Sequence, residues 1–349
     1  MNFSQILLKW YEDNHRDLPW RNTRDPYAIW LSEVILQQTR VEQGMPYWYR
    51  FLDHFPTVID LANADEQLVL RLWQGLGYYS RARNLHAAAK MVRDLMGGKF
   101  PSKYEQIKSL KGIGDYTAAA IASIAFDLPH AVVDGNVYRF LSRLFGIETP
   151  IDSTKGKKEF FELANSLLDK KHPGLFNQAT MEFGAVLCKP ANPTCNVCPF
   201  SLQCKAFQSK SINAFPVKSK KTKTRNRYFD FILLSDEKNI LIEQRKEKDI
   251  WQGLYQFPLI ESASKNKSAI LDSDLKGLAL NLNSFELIKA STIVKHVLSH
   301  QIIFAKFWWI SLKALPKQPS NYICISTSDL GDFGMPQLIV KYLNEVDFS

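Results

Sequence analysis

Four cysteines lie close together in the middle of the chain, within seventeen residues. Cys188, Cys195, Cys198 and Cys204 follow the spacing C-x6-C-x2-C-x5-C, with three prolines among them. Four thiolates at such spacing hold either tetrahedral zinc or an iron–sulfur cluster. Zinc ribbons usually contain two C-x2-C pairs and this chain has one, so the spacing favours the cluster and leaves zinc open. Clustered cysteines also disfavour a secreted disulfide framework and indicate a reducing compartment.

A carboxylate stands in an otherwise apolar helical stretch near the start of the chain. Glu33 lies in the segment 27–38, which follows the capping pair Asp25-Pro26 and contains no helix breaker. Burial disfavours the charged form of a carboxyl group, so its pKa rises. Glu33 is therefore either a structural carboxylate with satisfied hydrogen bonds or an acid that holds a proton near neutral pH.

Two glycines one residue apart precede an Ala-rich segment. Gly112 and Gly114 permit a tight turn and a close backbone approach to a ligand, and Asp115 is predicted to cap the helix that follows. Free N–H groups at such a helix start suit a phosphate. An ordinary turn between helices is the alternative. Asp134 follows about twenty residues later and adds a second candidate carboxylate.

The periodicity changes once along the chain. Residues 1–210 show helical patterns, including predicted helices over 136–145, 158–169 and 176–188. Residues 211–227 form a basic linker, since Lys205 to Arg227 carry eight basic residues and no acidic one. Residues 228–349 read as an α+β domain with strands at 228–234, 240–244 and 302–310 and a terminal helix. Cys324, in an apolar run, is predicted to be a small core residue.

Composition narrows the class of protein. The 349 residues are 46% hydrophobic and 23% charged, an ordinary globular composition. A net charge of +9 favours a polyanionic partner such as nucleic acid. Apolar runs are shorter than the roughly 18 residues that a membrane span needs, and no secretory signal is evident at the start. We therefore expect a cytoplasmic protein, nucleoid-associated if bacterial, without a membrane partner.

Several of these segments together resemble the MutY family of adenine DNA glycosylases. The segments that carry the resemblance are the four cysteines and residues 18–21, 30–39, 75–85 and 110–120. The resemblance implies an all-α helix-hairpin-helix glycosylase domain with a [4Fe-4S] loop, followed by a Nudix-like domain. The second domain resembles the family's through residues 251–258, but it lacks the Glu-rich string with which Nudix hydrolases hold magnesium. Lesion recognition is therefore expected of it rather than nucleotide hydrolysis.

The resemblance also implies a reaction: hydrolytic removal of adenine mispaired with 8-oxoguanine or guanine in double-stranded DNA. Glu33 would protonate the leaving adenine at N7, and Asp134 would stabilise the oxocarbenium-like sugar. Asn136 would hold a carboxylate in place beside that sugar. Tyr116 stands where endonuclease III-like enzymes carry a Schiff-base lysine, so a monofunctional glycosylase is expected.

Further residues match family positions that contact DNA or the bases. Gln178 falls where some members carry Glu to read adenine, and Leu298-Ser299-His300 departs from the family's Phe-Ser-His by its leucine. The predicted DNA- and base-binding residues are Arg21, Leu36, Gln38, Thr39, Tyr78, Gly112, Gly114, Gln178, Ser299 and His300.

Two other functions remain as alternatives. One is an endonuclease III-like pyrimidine glycosylase/lyase on the same scaffold, which Tyr116 and the second domain disfavour. The other is a non-catalytic DNA-binding protein, which the carboxylate pair disfavours. For the adenine glycosylase, a monomer is expected.

Overall fold

The structure is a computed structural model that describes residues 2–219, 224–236, 238–280, 285–315 and 321–346. The chain divides into two compact units. The first comprises Met1–Asn63 and Asn84–Lys221, and the second comprises Ala64–Arg83 and Thr222–Ser349. Residues 220–223 of the predicted basic linker lie outside the described residues. In the part of the chain that the structure describes, no helix is long and apolar enough to cross a membrane.

Helices dominate the first two hundred residues, as the periodicity predicts. In chain order the helices are α1 (Phe3–Asn14), α2 (Pro26–Ile35), α3 (Val41–His54), α4 (Val58–Asn63), α5 (Glu66–Leu72), α6 (Ser80–Leu95), α7 (Tyr104–Lys108), α8 (Asp115–Phe126), α9 (Gly135–Phe145), α10 (Thr154–Leu167), α11 (Pro173–Glu182), α12 (Lys205–Gln208), α13 (Asp272–Gly277) and α14 (Gln337–Leu343).

The starts of α2 and α8 are set by local sequence. Asp25 caps α2 by accepting a hydrogen bond from the backbone N–H of Tyr27 at 3.0 Å, and a proline follows at the first helical position. The capping prediction for Asp115 is wrong. Gly114 is the N-cap residue of α8, and Asp115 is already in the first turn, where its carboxylate pairs with Lys108. A negative charge there still stabilises the helix through the macrodipole.

An aromatic core joins three parts of the helical unit. Phe3 of α1 lies 5.1 Å from Phe200 of the cysteine loop and 6.0 Å from Phe140 of α9, measured between ring centroids. Phe183, directly after α11, lies 4.3 Å from Phe140 and 4.7 Å from Trp10 of α1. Phe140, Phe183 and Phe200 are at most 2% exposed. This packing fixes α9 and the end of α11 against each other and against the cysteine loop.

The second unit contains a mixed sheet. Its strands are β1 (Arg225–Ser235), β2 (Asn239–Gln244), β3 (Tyr255–Gln256), β4 (Leu259–Ser262), β5 (Glu286–Ala290), β6 (Val294–Val297), β7 (Gln301–Ser311) and β8 (Tyr322–Ser326). The central path runs β3-β2-β1-β7-β5, with β4 paired to β1, β6 to β7 and β8 to β2. β1 and β7 are parallel over their whole length, and β1 and β2 pair in an antiparallel manner.

Two sequence-based predictions about this unit need correction. The first strand begins at Arg225, so the last residues of the predicted linker belong to the sheet. Cys324 is exposed, because Tyr322 is the buried residue of β8 and Cys324 is not covered. An apolar run predicts a strand, but the run alone does not tell which of its side chains other elements will cover.

Candidate active site

A cavity in the helical unit collects the predicted catalytic residues. Its lining includes Glu33, Tyr116, Asp134 and Asn136, and its volume is about 510 Å³. Small-molecule sites in proteins have volumes of roughly 300–1,000 Å³, so a nucleobase fits within it. The residues come from α2, α8 and α9, which are separated by up to about one hundred positions in sequence and are brought together by the fold.

Glu33, the predicted general acid, lies on α2. Burial raises the pKa of its carboxyl group to about 7. A hydrogen bond from the Tyr116 hydroxyl and the charge of Arg21 oppose that rise, whereas the charge of Asp134 adds to it. At neutral pH a substantial fraction of the molecules therefore holds Glu33 in its protonated form, as a general acid requires.

Asp134 is the N-cap residue of α9. Its Oδ1 accepts a hydrogen bond from the backbone N–H of Val137 at 2.8 Å, and its Oδ2 accepts one from Nδ2 of Asn136 at 2.7 Å. Burial raises the pKa of Asp134, and these two hydrogen bonds act in the opposite direction because they favour the charged form. Hydrogen bonds from Val137 and Asn136 therefore favour the charged form of Asp134, whereas the largest influence on Glu33 is burial, which favours its protonated form.

Tyr116 lies on the first turn of α8, hydrogen-bonded to Glu33 and within reach of the charge of Asp134. Burial, followed by the charges of Glu33 and Asp134, raises the pKa of its phenol well above the usual value. Tyr116 therefore remains a neutral hydrogen-bond donor at physiological pH.

Arg139 was not predicted from the sequence, yet it holds Asn136. Its Nη2 donates to Oδ1 of Asn136 at 2.8 Å and to the carbonyl of Gly184 at 2.7 Å, and its Nε donates to the carbonyl of Cys188 at 2.7 Å. The helix predicted over 176–188 becomes a π-helix over Phe183–Leu187, a geometry that often marks functional sites. Hydrogen bonds thus connect the Asp134 carboxylate, through Asn136 and Arg139, to the cysteine loop.

Glu182 is a second residue that sequence reasoning missed. It is 1% exposed and accepts hydrogen bonds from Nη2 of Arg16 and Nη2 of Arg21, both at 2.7 Å. Burial alone would raise its pKa, but the bonds from the two arginines lower the pKa to about 2. Glu182 is therefore a permanent carboxylate that holds Arg21 in the wall of the cavity. In the sequence, Glu182 lies in a helical stretch and belongs to no motif, so nothing there distinguished it from other helical residues.

The predicted DNA-contacting residues lie in three places. Leu36, Thr39 and Gln178 line the same cavity as Glu33, and the neighbouring Gln38 has a left-handed backbone (φ 58°). Gln178 accepts a hydrogen bond from the Tyr11 hydroxyl at 3.4 Å.

The glycines before α8 form the second place. Gly112 has φ 77°, and a Cβ atom there would lie 2.6 Å from the Cβ of Asn84, so both backbone conformation and space require glycine. Gly114 is the residue from which α8 starts.

The third place is a cavity of the second unit, lined by Tyr78, Ser299 and His300. The hydroxyl groups of Tyr78 and Ser299 are hydrogen-bonded to each other. Tyr78 also has a left-handed backbone, with φ 49°. Three of the predicted DNA-contacting residues therefore lie together in this unit, although Tyr78 and Ser299 are more than two hundred positions apart in sequence.

The four clustered cysteines line one largely apolar cavity together with Phe140, Phe183 and Phe200. In the described part of the chain, no three His, Cys, Asp or Glu side chains are close enough together to hold one metal ion. A single zinc ion needs four sulfurs at about 2.3 Å from a common centre, whereas a cluster of several atoms spans thiols that are farther apart. The four thiols, gathered in one cavity with aromatic side chains, fit the four-cysteine ligand set of an iron–sulfur cluster.

The surroundings of the thiols fit the same group. Burial raises the pKa of Cys198 to about 12, so a positively charged centre is needed to hold this residue as a thiolate. Arg143, 3% exposed, donates to Sγ of Cys188 at 3.5 Å and to the carbonyl of Lys189 at 2.7 Å. Hydrogen bonds to ligand sulfurs of this kind are a common feature of iron–sulfur sites.

Each of the two parts of the chain matches a known protein family. Residues 31–168 match the family model of the HhH-GPD superfamily base excision DNA repair proteins, and residues 231–345 match that of the NUDIX domain. A solved thermostable thymine-DNA glycosylase is similar over 59% of this chain and 95% of its own, with 30% identity and a TM-score of 0.56. An endonuclease III–DNA complex, 22% identical with a TM-score of 0.52, shows the same fold over 59% of this chain and 94% of its own.

Two adenine DNA glycosylases are similar over nearly all of this chain, and a third over its larger part. The protein of that name from Buchnera aphidicola (subsp. Baizongia pistaciae) is 32% identical over 99% of this chain and 96% of its own length. The one from Arabidopsis thaliana is 35% identical over 96% of this chain and 62% of its own. The human one is 45% identical over 59% of this chain and 39% of its own. The predicted fold class, a helix-hairpin-helix glycosylase domain followed by a Nudix-like domain, is confirmed, and the chain belongs to the MutY family of adenine DNA glycosylases.

Proposed function

We propose that this protein is a monofunctional DNA glycosylase that removes adenine mispaired with 8-oxoguanine or guanine, as a step of base excision repair. The observation that carries this proposal is the pair of carboxyl groups in one cavity, with the pKa of Glu33 raised to about 7 and Asp134 hydrogen-bonded in a way that favours its charge. Cleavage of a glycosidic bond needs one group of each kind.

The proposed mechanism begins with extrusion of the adenine into the cavity. Unstacking costs a few kcal/mol, which side chains that enter the duplex offset. Leu36, Gln38, Thr39 and Tyr78 are the proposed contacts of this kind. Within the cavity Arg21, held by Glu182, and Gln178 provide polar groups for the edge of the base.

Bond cleavage then follows from the two carboxyl groups. Adenine is a poor leaving group as an anion, so Glu33 donates its proton to N7 while the bond to the sugar lengthens. The positive charge that develops on the sugar is stabilised by the Asp134 carboxylate, whose position Asn136 fixes. Water completes the hydrolysis. Tyr116 has no amine with which to form a Schiff base, so the strand is left intact.

Recognition of the base opposite adenine is assigned to the second unit. Tyr78, Ser299 and His300 line one cavity, and the hydroxyl and imidazole groups suit the extra polar atoms of 8-oxoguanine. This assignment rests on the family resemblance together with the shared cavity.

A [4Fe-4S] cluster is the proposed resident cofactor, held by Cys188, Cys195, Cys198 and Cys204. When bound, it would fix the loop that follows α11. We further propose a catalytic domain of residues 1–210, a basic linker that ends where β1 begins at Arg225, and a Nudix-like domain from there to residue 349. A monomeric state and a cytoplasmic location for the repair reaction are also proposed.

One assay tests the function. The protein is incubated with duplexes that hold adenine opposite 8-oxoguanine, opposite guanine, or opposite thymine as the control. We expect strand breaks at the adenine after alkali and none without it, on the first two duplexes alone. Breakage without alkali would replace the proposal with the glycosylase/lyase alternative, and the absence of any alkali-labile site would overturn it.

A further inference from the structure

A buried ion-pair cluster in the second unit centres on Arg227. Its guanidinium donates through Nε and Nη2 to the two carboxylate oxygens of Glu261, each at 2.7 Å. Its Nη1 lies 2.7 Å from Oδ2 of Asp249, and the group stacks over the ring of Phe229, 4.7 Å from the centroid. The Arg227 side chain is 8% exposed. A planar fork with this many partners is fixed in one orientation.

The same guanidinium contacts both walls of the cavity that holds the proposed lesion-reading residues. Asp249 and Gln301 line that cavity, and Nη1 of Arg227 donates to Oε1 of Gln301 at 3.3 Å. Gln301 closes the turn between β6 and β7, because its carbonyl accepts the N–H of Leu298 at 2.8 Å. Ser299 and His300 lie within that turn.

The wall of the cavity opposite Gln301 is held through Asp249, which pairs with both Arg227 and Arg245. Arg245 donates to Oδ2 of Asp249 at 2.9 Å and to the carbonyl of Ile250 at 3.2 Å. The next residue, Trp251, lines the cavity and has a left-handed backbone (φ 63°), a conformation that bulky residues rarely adopt unless their surroundings impose it. The cluster therefore holds both the turn with Ser299 and the strained segment with Trp251.

We infer that Arg227 is a positioning residue for recognition of the base opposite adenine: its ion pairs set the spacing between the Asp249–Trp251 wall and the Leu298–Gln301 turn. The Arg227 side chain is buried within the second unit, and it acts through Asp249 and Gln301. This inference rests on the proposed function, since it gives a further role to the cavity assigned to lesion reading.

The main test compares Arg227→Lys with the wild type in the full-length protein. Lysine keeps the charge but cannot bind Glu261 in a bidentate manner and also reach Asp249 and Gln301. Lys267→Met is the matched control, because it removes an ion pair with Asp274 in the same unit, outside this cavity. Glu261→Gln is a second variant in case Arg227→Lys fails to fold, which thermal melting detects.

Two readouts separate positioning from a general loss of stability. Hydrogen exchange of the peptide that spans residues 296–301 should become faster in Arg227→Lys and Glu261→Gln, and stay unchanged in the control. The preference in apparent affinity for adenine opposite 8-oxoguanine over adenine opposite guanine should fall by about tenfold. The single-turnover rate at saturating enzyme on the guanine duplex should stay within about twofold of the wild-type rate.

The outcomes are distinct. An unchanged preference in well-folded variants, or unchanged exchange in the turn, overturns the role of Arg227 while leaving the proposed function intact. A wild-type protein that excises adenine from neither duplex overturns the proposed function, and the exchange measurement then still decides whether Arg227 holds the turn. If Lys267→Met loses the preference for 8-oxoguanine to the same extent, the loss comes from lower stability of the second unit. That result also overturns the inference.

Discussion

The side-chain amide of Asn136 donates a hydrogen bond of 2.7 Å to the carboxylate of Asp134. The other end of that amide accepts a bond from Arg139, which fixes its orientation, since only the oxygen can accept. A carboxylate held in this way is aligned before any substrate arrives, and preorganised charge is among the largest contributions to catalysis.

Replacing Glu33 with Gln should remove adenine excision while leaving binding of the lesion duplex largely intact. The amide keeps the shape of the carboxyl group but has no proton to transfer, and general acid catalysis contributes about 10²–10⁴-fold to a rate. Single-turnover excision and duplex affinity provide the measurement. Glu42→Gln is the matched control, because this carboxylate lines the same cavity at an exposed position. Turnover by Glu33→Gln at the wild-type rate would exclude Glu33 as the acid.

Activity and stability should both depend on the protonation of Glu33. The rate should fall as pH rises through about 7, because the acid form disappears there. The folded protein binds this proton more tightly than the unfolded chain, so the contribution to stability is full below pH 4.5 and is lost as pH rises through about 7. The loss is roughly 3 kcal/mol at most.

The stability part is measured by thermal melting of Glu33→Gln beside the wild type. The variant should gain stability relative to the wild type at pH 8 and show little such gain at pH 5. A difference that does not change with pH would mean that the pKa of Glu33 is not raised in the folded protein.

Adding one methyl group at Gly184 should slow excision. A Cβ atom there would lie 2.6 Å from the carbonyl oxygen of Asn136 and 2.7 Å from its Cβ, so Asn136 must move. Displacement of a catalytic group by about 1 Å can cost on the order of 100-fold in rate. Single-turnover rates of Gly184→Ala are compared with those of Gly277→Ala, where no atom lies within 4 Å of the added group. Equal rates for the two variants would contradict the proposed positioning of Asn136.

Removing one clustered thiol should release the cofactor. Cys198→Ser should lose iron, sulfide and visible absorbance and should melt at a lower temperature, since the loop after α11 depends on its ligands. Cys324→Ser is the control: this residue is exposed and lies in the second unit. Stoichiometric zinc without iron in the wild-type protein would contradict the cluster.

Residue types and local spacing predicted much of this site. The position of Glu33 among apolar residues indicated a raised pKa, and the cysteine spacing favoured a cluster, because both signals lie within short segments. Glu182 escaped prediction because its role comes from Arg16, which is 166 positions away. A contact over that distance leaves no local periodicity.

The misplaced linker end has a related cause. Arg227 was predicted to be part of the basic linker, yet it is buried in β1 between two carboxylates. Composition describes a segment as a whole, whereas the pairing of one arginine depends on where β4 and the segment before Trp251 fold. Cys324 was misjudged for the same reason, since cover by other elements decides burial.

The π-helix over Phe183–Leu187 determines how many residues separate α11 from the cysteine loop. Its last turn is closed by the N–H of Cys188 bonded to the carbonyl of Phe183, five residues back, so this turn contains one residue more than an α-helical turn. Deleting one residue from this turn would restore the number of residues of an α-helical turn. The chain after the deletion would then rotate by about 100° around the helix axis. The whole cysteine loop would then turn to another side of the helix axis. The phase of the whole cysteine loop relative to the carboxylates is thus set by a single inserted residue.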